Sequence, residues 1–140
     1  MKKENLFGYV PAIATPFNKK GEIMEDAFVD LFEFLIERGA TCVCIAGDNG
    51  ESWSLSAEER GRLVRVAKDT SRGRVPIMMG ISAPTIDASL SYIRAAEENG
   101  ADVLLSMPQT YVLKASDAEL MARFDKVSEA CLLYTSPSPR

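Results

Sequence analysis

Short apolar runs alternate with amphipathic helical stretches four times along this chain, and that alternation demands a parallel sheet covered by helices. Tyr9–Ala14 predicts a strand, ended by Thr15-Pro16. Met24–Arg38 predicts a helix with Phe28, Leu31, Phe32 and Leu35 on one stripe and Gly39 as its C-terminal stop. Cys42–Ala46 is a continuous apolar strand followed by a glycine-rich loop. Ser56-Ala57-Glu58-Glu59 has capping-box spacing, so Ser56 opens a helix that turns Leu63, Val64 and Ala67 inward and stops near Arg72-Gly73. Pro76–Gly80 is the third strand. Thr85 caps a helix with Ile86, Leu90 and Ile93 on its inner face, ending at Asn99-Gly100. Val103–Ser106 is the fourth strand, and Ser116–Glu119 repeats the capping box ahead of Leu120, Phe124 and Val127.

The junctions Gly39-Ala40-Thr41-Cys42-Val43 and Gly100-Ala101-Asp102-Val103 echo each other, each a helix stop feeding a buried strand. Right-handed crossovers leave two α/β architectures, a doubly wound open sheet or a (β/α)8 barrel. Four units in this length are about half of the roughly 250 residues that a barrel needs. No dinucleotide or P-loop glycine pattern favours the open sheet.

A net charge of −4 without a basic cluster argues against nucleic acid or an anionic membrane as partner. No apolar run reaches the roughly 18 residues of a membrane span, and the apolar stretch after Met1–Asn5 is too short for a signal peptide. Cys42 and Cys44 alternate with Val43 and Ile45 and would share one strand face as small buried hydrophobes, in keeping with a reducing cytoplasm. With no histidine present, His-based triads and most zinc sites are excluded from this portion.

Ligands of both architectures sit at the C-terminal ends of the strands. The loop Gly47-Asp48-Asn49-Gly50-Glu51-Ser52-Trp53 is the richest there. Its two glycines let backbone N–H groups turn toward a carboxylate or phosphate just ahead of a helix N-terminus, or else merely make a tight turn. Glu51 is a general base or a capping or packing partner, and Trp53 a packing or subunit-interface residue. After the fourth strand, Thr110 and Tyr111 offer a hydroxyl and a phenol.

Ala12-Ile13-Ala14-Thr15-Pro16-Phe17, then Gly21-Glu22-Ile23, then Gly50-Glu51-Ser52 with Leu55-Ser56 and Glu59, resemble the dihydrodipicolinate synthase and N-acetylneuraminate lyase family, from Gly8 to about Glu129 in order and in register. The resemblance implies a (β/α)8 TIM barrel, of which the chain covers the first four βα units, and class I aldolase-type chemistry. In such enzymes a lysine at the end of the sixth strand forms a Schiff base with pyruvate or another 2-oxo acid, and a fifth-strand tyrosine shuttles protons. Neither is expected here, because the fold is expected to end within the fourth helix and no lysine of the chain falls at a strand end; the fragment is expected to be inactive. No metal or organic cofactor is implied. The family commonly forms homo-oligomers, dimers or tetramers.

The resemblance assigns Gly47, Asp48, Asn49 and Gly50 to the 2-oxo acid carboxylate, and Asp48, Thr110 and Tyr111 to the proton relay. Two departures stand out. Asp48 and Asn49 occupy the two usual hydroxyl positions, and Pro108-Gln109-Thr110 stands for Pro-Tyr-Tyr, with Tyr111 one place later. An ionised Asp48 at contact distance would repel a carboxylate by about 4 kcal/mol at an effective dielectric of 20. Asp48 is therefore expected to point away toward cations, to be protonated by burial, or to meet a hydroxylated part of a sugar-derived substrate. The alternatives are a strict 4-hydroxy-tetrahydrodipicolinate synthase and a barrel that kept the fold and lost the chemistry.

Cys131–Arg140 (CLLYTSPSPR) breaks from the fourth helix without a cap or an acidic residue. It resembles one reading frame of a transposase-type sequencing adapter. Residues 1–130 are accordingly expected to be the N-terminal half of a barrel, and 131–140 a non-native tail.

Overall fold

The structure, a computed structural model, describes residues 8–108, 115–130 and the backbone of 134–137. Helix α1 (Glu25–Glu37) leads to strand β1 (Val43–Ile45), then α2 (Ala57–Ser71), β2 (Ile77–Gly80), α3 (Ile86–Glu98), β3 (Val103–Ser106), α4 (Asp117–Ala130) and β4 (Tyr134–Pro137). All strand pairs are parallel and lie in sequence order, with Val43 opposite Ile77, Met78 opposite Val103, and Val103 opposite Tyr134. A doubly wound sheet reverses its order at a switch point. This one adds every new strand to the same edge, which is how a (β/α)8 TIM barrel is wound, and the chain forms its opening part.

The segment expected as the first strand pairs with β1 on the other edge, through Ala12 opposite Cys44. Ile13 N donates to the Cys44 carbonyl at 3.0 Å, and Cys44 N to the Pro11 carbonyl at 2.9 Å. It makes only this isolated bridge because Pro11 has no N–H to give and Gly8 enters at a φ of +117°. The second difference is at the other end. Tyr134–Pro137 pairs along β3, where the fold was expected to stop within the fourth helix. Tyr134 and Thr135 are β-prone, and parallel pairing asks only for backbone groups. Pro137 stands at the last position of an edge strand, where a missing donor is tolerated.

Local chemistry sets the helix limits. Glu59 N donates to Ser56 Oγ (3.2 Å) while Ser56 N donates to Glu59 Oε2 (2.8 Å), and the same exchange joins Ser116 and Glu119. Thr85 caps α3 through Ala88 N. The two echoing junctions are Schellman stops: Gly39 and Gly100 have positive φ, and Ala40 N and Ala101 N reach back to the carbonyls of Leu35 and Ala96.

The core lies between sheet and helices. Phe28, Phe32, Leu63, Val64, Ala67 and Ile93 pack against Val43, Ile45, Ile77, Met79 and Leu104, all essentially excluded from water. At the start of the strands, Lys68 Nζ lies 3.0 Å from both Asp102 oxygens, and Asp102 also accepts from Ile77 N at 2.8 Å. That network secures the end of the sheet opposite the cleft.

Candidate active site

The C-terminal ends of the strands open into a cleft of about 190 Å3. Ala12 comes from the first extended segment, Cys44, Ala46 to Asn49 and Ser52 from β1 and its loop, Gly80 and Ser82 from the end of β2, and Leu105 and Met107 from β3 and the residue after it. A space below the usual 300–1,000 Å3 of drug-sized sites suits a ligand of few heavy atoms.

Gly47, Asp48 and Asn49 line this cleft, with Asp48 and Asn49 exposed at its rim. Gly50 plays another part. Its N–H closes a 3-10 turn onto the Gly47 carbonyl (3.0 Å), and its carbonyl accepts from the buried Thr15 hydroxyl (2.8 Å). A Cβ on Gly50 would stand 2.9 Å from the Ile13 carbonyl, so a side chain is excluded where the loop meets the first segment. Glu51 N likewise closes onto Asp48. The backbone facing the cleft is therefore Gly47 to Asn49.

Thr110 and Tyr111 lie outside the described residues. Glu51, exposed and left-handed (φ 54°), sits between two 3-10 turns rather than in the cleft. Trp53 is 74% exposed, which removes packing within the chain as its role.

Three features of the site escaped the sequence. Gly80 is forced by contact: a Cβ there would come within 2.1 Å of the Ala46 carbonyl, and Ala46 itself is left-handed at φ 52°. Ser82 Oγ accepts from Met107 N at 2.9 Å, tying the end of β2 to the end of β3. Arg60, only 1% exposed, reaches the carbonyls of Gly80 (2.7 Å), Ser52 and Leu55 from within α2. A cation one turn ahead of Leu63 and Val64, on the same apolar stripe, was the available signal.

Burial governs the thiol in the cleft. Cys44, with smaller contributions from Cys42 and Asp48, has its thiol pushed up to about 12, and burial with Asp102 nearby takes Cys42 to about 11. Both are protonated at neutral pH, Cys44 as a small apolar part of the cleft wall and Cys42 as a small buried hydrophobe.

This geometry has a counterpart in sequence, for the chain matches the profile of the Dihydrodipicolinate synthetase family over residues 5–139. The chain belongs to that family. A 4-hydroxy-tetrahydrodipicolinate synthase from Salinibacter ruber is 34% identical over 98% of this chain and 47% of its own length. A 5-dehydro-4-deoxyglucarate dehydratase from Pseudomonas putida is 35% identical over 83% of the chain and 38% of its own. Among solved structures, the prophage protein YagE of the dihydrodipicolinic acid synthase family from E. coli K12, in complex with pyruvate, superposes with a TM-score of 0.85 at 28% identity, covering 93% of this chain and 43% of that one. The chain thus spans about half the length of the curated family members it matches.

Seen within the family, none of the described lysines stands at a strand end: Lys68 and Lys126 are helical, and Lys19 and Lys20 lie in the turn before α1. β4, fifth in the sheet when the first segment is counted, does carry a tyrosine, contrary to expectation. Tyr134 is its first residue, level with Val103 and away from the cleft end.

Proposed function

We propose that the whole protein is a Schiff-base-forming lyase, aldolase or dehydratase acting on pyruvate or a related 2-oxo acid, and that this chain supplies its carboxylate-binding half. The observation that carries the proposal is the small cleft at the strand ends, walled by Gly47, Asp48 and Asn49, in a chain of this family. Backbone N–H groups of that loop and the Asn49 amide would hold the carboxylate. A lysine from the remaining strands would form the imine, whose positive charge takes up the electron pair released when the neighbouring bond breaks. Asp48, exposed at the rim, would meet substrate hydroxyls or stand in for the relay threonine, with Thr110 and Tyr111 as further relay positions. No metal or organic cofactor enters this scheme.

A substrate richer in hydroxyls than pyruvate alone is favoured by Asp48, and the dehydratase among the relatives acts, by its name, on a sugar acid derivative. The second reading, a 4-hydroxy-tetrahydrodipicolinate synthase, is favoured by relatives such as the one from S. ruber. A barrel without catalysis is the third. Borohydride trapping of the whole protein with pyruvate tests the imine. Turnover with aspartate semialdehyde then separates the synthase from the sugar-acid enzyme, and absence of any adduct leaves the non-catalytic barrel.

The chain on its own is proposed to be inactive, the whole enzyme to be a cytoplasmic homo-oligomer, and residues 131–140 to be translated adapter. Among the described residues, no helix is long and apolar enough to cross a membrane. Sequencing the source gene across the codons of Ala130 and Cys131 decides the last point: a frame that continues into further βα units supports it, and a genomic CLLYTSPSPR ends it.

A further inference from the structure

Beneath the cleft lies a buried cation. Arg60 is 1% exposed, and among the described residues no carboxylate pairs with it. Its partners are neutral: Nη1 donates to the Gly80 carbonyl at 2.7 Å, Nη2 to the Ser52 carbonyl and Nε to the Leu55 carbonyl at 3.4 Å. The guanidinium carbon stands 3.7 Å from the centre of the Tyr92 ring. Burial draws the Arg60 pKa down while Tyr92 draws it up, and an arginine stays charged throughout. A buried charge without a counter-ion is costly, and an apolar side chain on this stripe of α2 would avoid the cost. Stability alone therefore gives no reason for a cation here.

Its contacts give one. Ser52 and Gly80 both line the cleft, so one planar fork ties the turn that follows the ligand loop to the end of the neighbouring strand. The same fork places positive charge directly behind the cleft wall, in a low-dielectric setting where it is screened little. We propose that Arg60 is the positioning residue of this site: it fixes the shape of the loop from Gly47 to Leu55 and gives the cleft a positive background that selects a ligand with a carboxylate. The second part rests on the 2-oxo acid reading above; the first does not.

Arg60→Lys and Arg60→Gln in the 140-residue chain separate the two. Lysine keeps the charge but has no fork to span three carbonyls, and glutamine keeps a donor but no charge. Amide exchange is compared between residues 47–55 and strands β1–β3. Trp53, the only tryptophan, is next to Ser52 and reports the turn by its emission. Binding is read from amide shifts of Gly47–Asn49 on titration with pyruvate and with neutral pyruvamide. In both variants the loop is expected to exchange at least about tenfold faster with the strands unchanged, and Trp53 emission to shift. Preference for pyruvate over pyruvamide should fall in Arg60→Gln and persist in part in Arg60→Lys. Unchanged loop exchange in both variants overturns the proposal, whatever pyruvate does. So does a uniform loss of protection, or failure of both to fold, since Arg60 is then only a stability element. A loosened loop in variants of a wild-type chain indifferent to pyruvate upholds the positioning role and overturns the carboxylate-selecting part, together with the reading of this chain as the carboxylate-binding half.

Discussion

The thiol of Cys44 faces the cleft, yet burial keeps it protonated to about pH 12, so iodoacetamide at pH 8 should leave Cys44 unmodified in the native chain and label it rapidly in urea, as peptide mapping would show. The same shift fixes the sign of a stability change. A thiol whose folded pKa exceeds its unfolded 9.0 contributes fully below pH 9 and loses that contribution as the unfolded state ionises first. Urea unfolding free energies should therefore fall above pH 9 by roughly 1.4 kcal/mol per pH unit per thiol, up to about pH 11 for Cys42 and 12 for Cys44. Cys44→Ala should halve that slope. In the whole enzyme, Asp48→Thr should shift preference toward pyruvate over hydroxylated 2-oxo acids, read as the ratio of kcat/KM values. Unchanged preference and pH profile would remove Asp48 from specificity. Little of this residue-level chemistry was legible in advance. Asp48 and Asn49 were found because a glycine loop flags them, but Thr15 and Arg60 act on residues up to 35 positions away through carbonyls, which carry no side-chain signature.

Elements were more legible, because their limits are set within a few residues. Both capping boxes and both glycine stops form from contacts of at most five positions. The first strand was overcalled, since its hydrophobic run hides a proline without a donor. Gly80→Ala tests the closest contact between elements. Its methyl would overlap the Ala46 carbonyl, so loss of about 3 kcal/mol or more in chemical denaturation is expected. Ser56→Ala should cost about 1 kcal/mol through the α2 cap. The Glu119 carboxyl is held below its ordinary pKa by the backbone N–H and the hydroxyl of Ser116. That cap is present above the unfolded glutamate pKa of 4.5 and is lost as pH falls through the lower folded value, so α4 should fray first at its N-terminus in acid, visible as amide exchange from Asp117 onward.

At the scale of the molecule, the described sheet ends at β4 on one side and at the Tyr9–Ala14 segment on the other, and neither outer edge meets a further described strand. Such edges accept another chain readily. Light scattering of the 15.3 kDa chain should therefore show concentration-dependent association, and a strict monomer would contradict it. The two glycine stops carry a further meaning. The fifth and seventh residues after Gly39 are Cys44 and Ala46, and those after Gly100 are Leu105 and Met107; all four line the cleft. Each stop acts as the zero mark of a ruler laid along the following strand. Deleting one residue between mark and strand would leave composition almost untouched, yet turn the cleft wall toward the helices and the helix-facing core toward the ligand.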